Sequence, residues 1–322
     1  DHAVRRSILQ DSRADLLVFG MGELPLLSIA SLLAKGVSIA SIQTLPGTCV
    51  MVSDKKMPDK WRAFLAKTES EGGDVNRASG SGCPEDDKHV LLPCYDTVKS
   101  DPRAYAEAFR IQYLEQVPVR GRTMLQRHGV RYVVQNPPAR PLKQKELDRL
   151  YALPFERAPH PQYAAQGGVP AIDEVSHSIT AHRGCFGGCN FCAITFHQGR
   201  VVQNRSRTSI LAEAERIVAS PDFKGYIHDV GGPTANFHLP ACEKMSRGEV
   251  CKDRRCLFPE PCPALRTDHG TYLDLLRSVR AIPGVKKVFV RSGIRFDYLM
   301  MDDRSGFLGE LCRHHISGQL KV

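Results

Sequence analysis

Apolar positions change period along this chain, and the changes mark its organisation. Residues 15–35, DLLVFGMGELPLLSIASLLAK, begin as a short apolar run, break at a glycine turn and continue with helical spacing up to Gly36. The pattern predicts a βα unit, read at this position as the end of a doubly wound α/β domain. From residue 47 to about 90 the periodicity lapses. EGGDVNRASGSGCPEDD, rich in Gly, Ser and acids, predicts a mobile insertion or linker. DPRAYAEAFRIQYLEQ regains helical spacing, with Pro102 in its first turn. NPPARP, APHPQY and GGVP then impose an extended, turn-rich path over 136–170, expected as a lead-in to the next domain.

A different rhythm begins at residue 176. SHSITAHRG, FKGYIHDVGG, VKKVFVRSG and SGQLKV read as strands, separated by the helices TSILAEAERIVAS and TYLDLLRSVRAIPG and the weaker DDRSGFLGELCRHH. Such alternation predicts parallel strands joined by right-handed crossovers, as in a partial (β/α) barrel. Four strands fit before Val322. An open parallel edge is unfavourable, so the chain is expected to be a fragment or to have that edge covered. The expected division is 1–46, the end of an α/β domain; 47–175, insertion and lead-in; and 176–322, the barrel strands, with a Cys-rich insertion at 237–268.

Composition adds less. With 42% hydrophobic and 25% charged residues the chain is an ordinary globular protein. No apolar run approaches a membrane span, and no leader resembles a signal peptide. The net charge of +9, from 44 basic against 35 acidic residues, is compatible with an acidic partner such as RNA. No basic run of five or more accompanies it, so charge by itself assigns no nucleic-acid role.

The cysteines change the picture. Of eleven, Cys49, Cys83, Cys94 and Cys312 are scattered, while Cys185, Cys189 and Cys192 form one group and Cys242, Cys251, Cys256 and Cys262 another. Grouped thiols without secretory features predict metal or cluster ligation in a reducing compartment, hence a cytoplasmic protein. The first group has C-x3-C-x2-C spacing just beyond a predicted strand end, where βα barrels build their sites. Three thiolates suit three irons of a [4Fe–4S] cluster, with the fourth iron open to another ligand. Gly184, Gly187 and Gly188 allow the tight curl, and Phe191 is expected to shield one side. Zinc is the alternative, but its usual paired knuckles and fourth ligand are missing from the loop. A redox pair of Cys189 and Cys192 leaves Cys185 unexplained. The second group, C-x8-C-x4-C-x5-C, suits an auxiliary iron–sulfur cluster, zinc, or unligated thiols.

These motifs resemble the radical S-adenosylmethionine (SAM) enzymes. RGCFGGCNFCAITFHQGR, QNPPARPL, DVGGPTAN and the later cysteines resemble, more narrowly, the YgiQ-type radical SAM proteins. The resemblance implies SAM on the open iron, cleaved reductively to methionine and a 5′-deoxyadenosyl radical that abstracts hydrogen, with a flavodoxin or ferredoxin as electron donor. It implies that Gly231 and Gly232, after the second strand, lie where the SAM methionine moiety binds, and that Ser292 and Arg291, ending the third, reach toward the SAM ribose or a carboxylate; the ordinary alternatives are a plain tight turn for the glycines and a surface ion pair for Arg291. Asp229 is expected to anchor the glycine loop or meet substrate. His197, His314 and His315 are expected as ordinary structural or exposed histidines.

The N-terminal DLLVFGMGELP resembles the last unit of a cobalamin-binding-like domain, although no cobalamin-ligating D-x-H-x-x-G pattern is present. Against the family, most of that domain and two barrel strands are absent. The expectation is a cytoplasmic radical SAM iron–sulfur enzyme, unconnected with a membrane, acting on an unidentified substrate. Its rivals are a zinc-stabilised RNA-binding module without catalysis and a radical SAM enzyme that modifies tRNA.

Overall fold

The computed structural model describes residues 3–70 and 88–321. They form two compact units, Asp1–Arg140 with Gly248–Arg254, and Pro141–Arg247 with Arg255–Val322. The stretch expected to be mobile, 71–87, lies outside the described residues.

The first unit is built on strands β1 (Leu16–Val18), β2 (Thr48–Ser53), β3 (His89–Leu91), β4 (Thr123–His128) and β5 (Arg131–Gln135). They form one sheet in the order β1-β2-β5-β4-β3. The expected βα unit is present as β1 and the helix Glu23–Ala34. Its surroundings differ from the expectation. β1 runs antiparallel to β2, with Leu16 opposite Val50, and only β3 and β4 are parallel. This mixed sheet is not the parallel sheet of a doubly wound domain. The reason lies in residues 47–135, read above as insertion and lead-in, which supply four of the five strands. Their inward side chains Val50, Val52, Leu91, Leu125 and Val134 bury Trp61, Phe64 and Leu65 of the helix Asp59–Ser70. The burial of these large apolar groups, worth about 1.5–3 kcal/mol for each, decides the pairing.

The helix Pro102–Glu115 starts as its sequence predicts, with Pro102 in the first turn and the Asp101 carboxylate accepting from the Arg103 N–H at 2.8 Å. It ends on Glu115, whose side chain is 0% exposed. That carboxylate accepts from the Arg122 guanidinium at 2.6 Å and lies 2.7 Å from the Lys252 ammonium. The pair with Lys252 holds the segment 248–254 on this unit. Burial pushes the Glu115 carboxyl up, but the hydrogen bonds from Arg122 and Lys252 outweigh it and hold the group below its ordinary value.

In the second unit, β6 (Ser178–Thr180) leads through β7 (His182–Arg183) into the cysteine loop, and β8 (Gln203–Asn204) returns antiparallel to β7. The helix Arg207–Val218, β9 (Tyr226–Ile227), β10 (Asp229–Gly231), the helix Gly270–Arg280 and β11 (Lys287–Val288) follow. β10 pairs parallel with β6, and β11 pairs parallel with β9. β9 and β10 are one strand interrupted at His228, so three successive strands alternate with helices in parallel, as the sequence pattern predicts. SGQLKV forms no strand among the described residues. It meets the unit through the Ile294 N–H, bonded to the Lys321 carbonyl at 2.9 Å. A further difference lies in the lead-in, where an extended path was expected. The helix Gln144–Tyr151 forms there because Leu147 reaches full burial and Glu146 caps the Lys143 N–H at 2.8 Å.

Ile210, Glu213, Ala214 and Ile217 recur at helical spacing and are buried. The apolar three join Ile179, Ile227, Val230, Leu276, Val279 and Val288 in the core. Glu213 is not left alone there: it pairs with both Arg157 and Arg205. Arg205 also donates to the Thr180 carbonyl at 2.9 Å, and Arg157 to the Ser176 carbonyl at 2.7 Å. The triad, with Glu213 and Arg205 buried and Arg157 partly exposed, therefore fixes both ends of β6, the strand that leads toward the cysteines. Among the described residues no helix is long and apolar enough to cross a membrane.

Candidate functional site

The loop after β7 is shaped by its backbone before any thiol is considered. Gly184 sits at φ +86°, and a Cβ there would lie 2.0 Å from the Val201 carbonyl oxygen. No other residue fits that position. The Gly184 N–H donates to the Gln198 side-chain oxygen at 3.0 Å and the Cys185 N–H to the Gly199 carbonyl at 3.0 Å. One turn later the Cys192 N–H reaches the Cys189 carbonyl at 3.2 Å. The C-x3-C-x2-C spacing thus lies on a curl whose start and end are hydrogen-bonded.

Cys185 is buried, while Cys189 and Cys192 are partly exposed. Burial pushes the Cys185 thiol up, the Thr234 hydroxyl 3.5 Å from its sulfur works against this, and Cys189 and Cys192 both add to the rise. Cys189 and Cys192 thus both lie within electrostatic reach of the Cys185 thiol. Three thiols on one hydrogen-bonded curl are the donor type an iron–sulfur cluster takes, so the donor set fits such a cluster chemically. Among the described residues, no group of three or more His, Cys, Asp or Glu side chains is already arranged to hold a metal ion. Phe191, expected to shield the loop, is instead 93% exposed. The apolar cover beneath comes from Phe186, stacked on Phe237 at 3.7 Å with Tyr298 edge-on to both.

The glycine pair after β10 has a packing reason. A Cβ on Gly232 would lie 2.6 Å from the ring of His182, and one on Gly231 would lie 2.4 Å from the Ser292 hydroxyl oxygen. His182 is fully buried, and its Nε2–H donates to the Thr234 carbonyl at 3.0 Å. Burial and the neighbouring His238 push its pKa down to about 3, so the ring is neutral at any ordinary pH. Ser292 donates its hydroxyl to Asp229, which also accepts from the Arg291 and Ser292 N–H groups at 2.8 and 3.1 Å. Asp229 thereby anchors the end of the third strand beside Gly231. Arg291 points instead into an ion pair with Glu174 at 2.9 Å. His315 is buried with its Nδ1 2.8 Å from the Val288 carbonyl, and His314 and His197 are exposed.

Sequence reasoning missed Arg295. Its Nη1 donates to the Cys189 sulfur at 3.0 Å, while Nε and Nη2 are held by the two oxygens of Asp297, each at 2.7 Å. Asn236 accepts from the Arg295 N–H at 2.9 Å and donates to its carbonyl at 3.1 Å. Behind Asn236 stands His269, whose Nε2 lies 3.2 Å from the Asn236 amide nitrogen and whose Nδ1 lies 2.8 Å from Asp302. The amide can only donate, so Nε2 accepts and Nδ1 carries the proton given to Asp302. Burial lowers the His269 pKa and keeps the ring neutral. For Asp302, burial opposes the charge, yet hydrogen bonds from Ser305 and His269 hold the carboxyl well below the usual carboxylate range. No local signal marks Arg295, because its partner Cys189 lies 106 residues away along the chain.

The later cysteines are placed differently. Cys242 caps the one-turn helix Glu243–Ser246 through its sulfur, 3.5 Å from the Met245 N–H, and the Cys262 N–H bonds the Cys256 carbonyl at 2.8 Å. Cys251 belongs to the segment carried by the first unit. No disulfide joins any of the described cysteines.

Residues 1–178 match a family described as radical SAM N-terminal. Over all 322 residues the chain is 52% identical to a UPF0313 protein of Clostridium botulinum (strain Okra / Type B1) and 49% identical to a UPF0313 protein of Clostridium perfringens (strain SM101 / Type A). It spans 46% and 45% of those two proteins, about half the length of the curated relatives it matches. No solved structure matches it. The match covers more than half of the chain and the likeness to the relatives runs through both units, so the chain belongs to the radical SAM proteins of the YgiQ type.

Proposed function

We propose that this chain is the cluster-holding part of a radical SAM enzyme, with Cys185, Cys189 and Cys192 each binding one iron of a [4Fe–4S] cluster and SAM taking the fourth. When bound, the cluster supplies the electron that cleaves the SAM sulfonium and so starts radical chemistry on the substrate. The chain's own residues do the positioning. Gly184 curls the loop, and Phe186, Phe237 and Tyr298 keep water from its inner side. Gly231 and Gly232, packed closely on Ser292 and His182, offer their backbone to the methionine moiety, while the Ser292 hydroxyl, oriented by Asp229, is within the same strand-end region for the ribose. The parallel β6, β10 and β11 are read as the start of a partial barrel, in a cytoplasmic enzyme served by a flavodoxin or ferredoxin.

One observation carries this reading: three thiols on one hydrogen-bonded loop, beside an aromatic floor and a glycine pair at the end of the neighbouring parallel strand. The test is iron and sulfide per chain after anaerobic reconstitution, in wild type and in a Cys185→Ala/Cys189→Ala/Cys192→Ala variant. The variant is expected to lose about four irons. Equal iron in both proteins, or zinc alone, overturns the reading.

A further inference from the structure

Arg295 is held far more firmly than an exposed arginine needs to be. Its side chain is 26% exposed, a setting in which an ion pair contributes little. Yet Asp297 takes Nε and Nη2 in a fork, Asn236 binds the backbone in both directions, and the neutral His269 with Asp302 fixes Asn236. Together these leave one guanidinium nitrogen, Nη1, free of the fork and directed at the Cys189 sulfur, 3.0 Å away. The SAM-binding expectation drawn from the sequence gave this residue no role.

We infer that Arg295 is a positioning residue that tunes the cluster's reduction potential by donating a charged hydrogen bond to the Cys189 sulfur. The inference rests on the proposed cluster ligation. Reduction adds one electron, and the added negative charge spreads onto the ligand sulfurs. A cation donating to one of them stabilises the reduced form more than the oxidised form, so it raises the potential. Asp297 works in the opposite sense. Its carboxylate fixes the fork but also sets a negative charge behind the cation, which offsets part of the effect.

The opposing signs provide the test. The full chain is reconstituted anaerobically without SAM, so that each electron from dithionite stops on the cluster. Iron and sulfide are counted, and the reduced signal is followed by electron paramagnetic resonance against a mediator-set potential. Wild type, Arg295→Gln and Asp297→Asn are expected to hold equal iron. At a fixed potential Arg295→Gln is expected to shift the reduction equilibrium about tenfold toward the oxidised form, a lowering of about 59 mV for one electron. Asp297→Asn is expected to shift it the other way by a smaller factor. Equal potentials in wild type and Arg295→Gln overturn the inference, as do two variants that shift in the same direction. So does an Arg295→Gln chain that keeps the wild-type potential but loses SAM affinity in a separate equilibrium-binding measurement, since Arg295 is then a carboxylate ligand. A loaded wild type with both variants empty also overturns it, making the fork a folding element. A wild-type chain that takes up no iron defeats the cluster reading itself and is told apart by the iron count.

Discussion

The two cysteine groups lie within eighty residues of one another and have opposite characters. Around Cys185, Cys189 and Cys192 the backbone is fixed by Gly184 against Val201, by bonds from Gly184 and Cys185, and by Arg295 on the Cys189 sulfur. Around Cys242, Cys251, Cys256 and Cys262 the thiols sit on a one-turn helix, a tight turn and a segment that belongs to the other unit. The first group is preorganised by contacts that need no metal. The second is divided between the two units, so no single loop carries it. Preorganisation of this kind is what a catalytic centre requires and a structural metal site can do without.

The strongest way to break this contrast is to empty the second group. A Cys242→Ala/Cys256→Ala/Cys262→Ala variant is expected to keep the roughly four irons of the loop, counted as iron and sulfide after reconstitution. If the loop iron disappears with the later thiols, the two groups form one site and the distinction fails.

Next in size is Glu115, which clamps Lys252 beside Cys251. Replacing it with Gln leaves Arg122 and Lys252 without their buried counter-charge. Broken buried pairs cost about 3–5 kcal/mol, and the partial exposure of both cations puts this one near 3. The loss is expected in the urea midpoint of the first unit, with the loop iron unchanged. Because the folded carboxyl lies below its ordinary 4.5, its contribution is present above that pH and drains away as pH falls through the lowered value. The gap between wild type and Glu115→Gln should therefore be full at pH 7 and narrow on acidification below 4.5. A gap that widens there contradicts the assignment.

A smaller effect is expected at Gly232→Ala, where the new methyl meets the buried ring of His182 at 2.6 Å. Overpacking of this sort costs about 1–3 kcal/mol. The melting temperature should fall, and the His182→Ala/Gly232→Ala double variant should recover part of the loss to the Gly232 methyl, since the obstructing ring is gone. No recovery means that the obstruction is the His182 carbonyl oxygen, 2.8 Å from the new methyl, and not the ring.

How much of this was legible beforehand depends on the range of the interaction. The cysteine loop and the βα rhythm after residue 176 are local patterns, so the motif spacing and the helical repeats at 207–218 and 270–280 gave them directly. The mixed sheet of the first unit depends on which strands pair, and strands as short as β1 and β3 carry little periodicity. One signal was available. His128-Gly129-Val130-Arg131 joins two apolar-rich runs through a two-residue turn with Gly129 at φ +61°, a hairpin pattern inside the stretch read as lead-in. Arg295 was illegible for a different reason: its partner Cys189 lies more than a hundred residues away, and nothing local marks an arginine that will meet a sulfur.

Phe191 gives the smallest expected effect and sharpens the contrast most. An aromatic between Cys189 and Cys192 invites the idea of a hydrophobic lid, and the sequence by itself supports it. With 93% of its surface exposed, the ring covers nothing within this chain, and the inner side of the loop is already closed by Phe186, Phe237 and Tyr298. Removing an exposed ring forfeits almost no burial, so Phe191→Ala should change unfolding free energy by less than about 0.5 kcal/mol. Phe237→Ala, in contrast, removes a ring that is 1% exposed and should cost about 3–5 kcal/mol. The same pair separates cover from decoration in the loaded protein. Under air, cluster bleaching should quicken in Phe237→Ala and hold its wild-type rate in Phe191→Ala. Faster bleaching in Phe191→Ala alone would mean that this ring folds over the loop once iron is bound, and that the loop is less preorganised than its contacts imply.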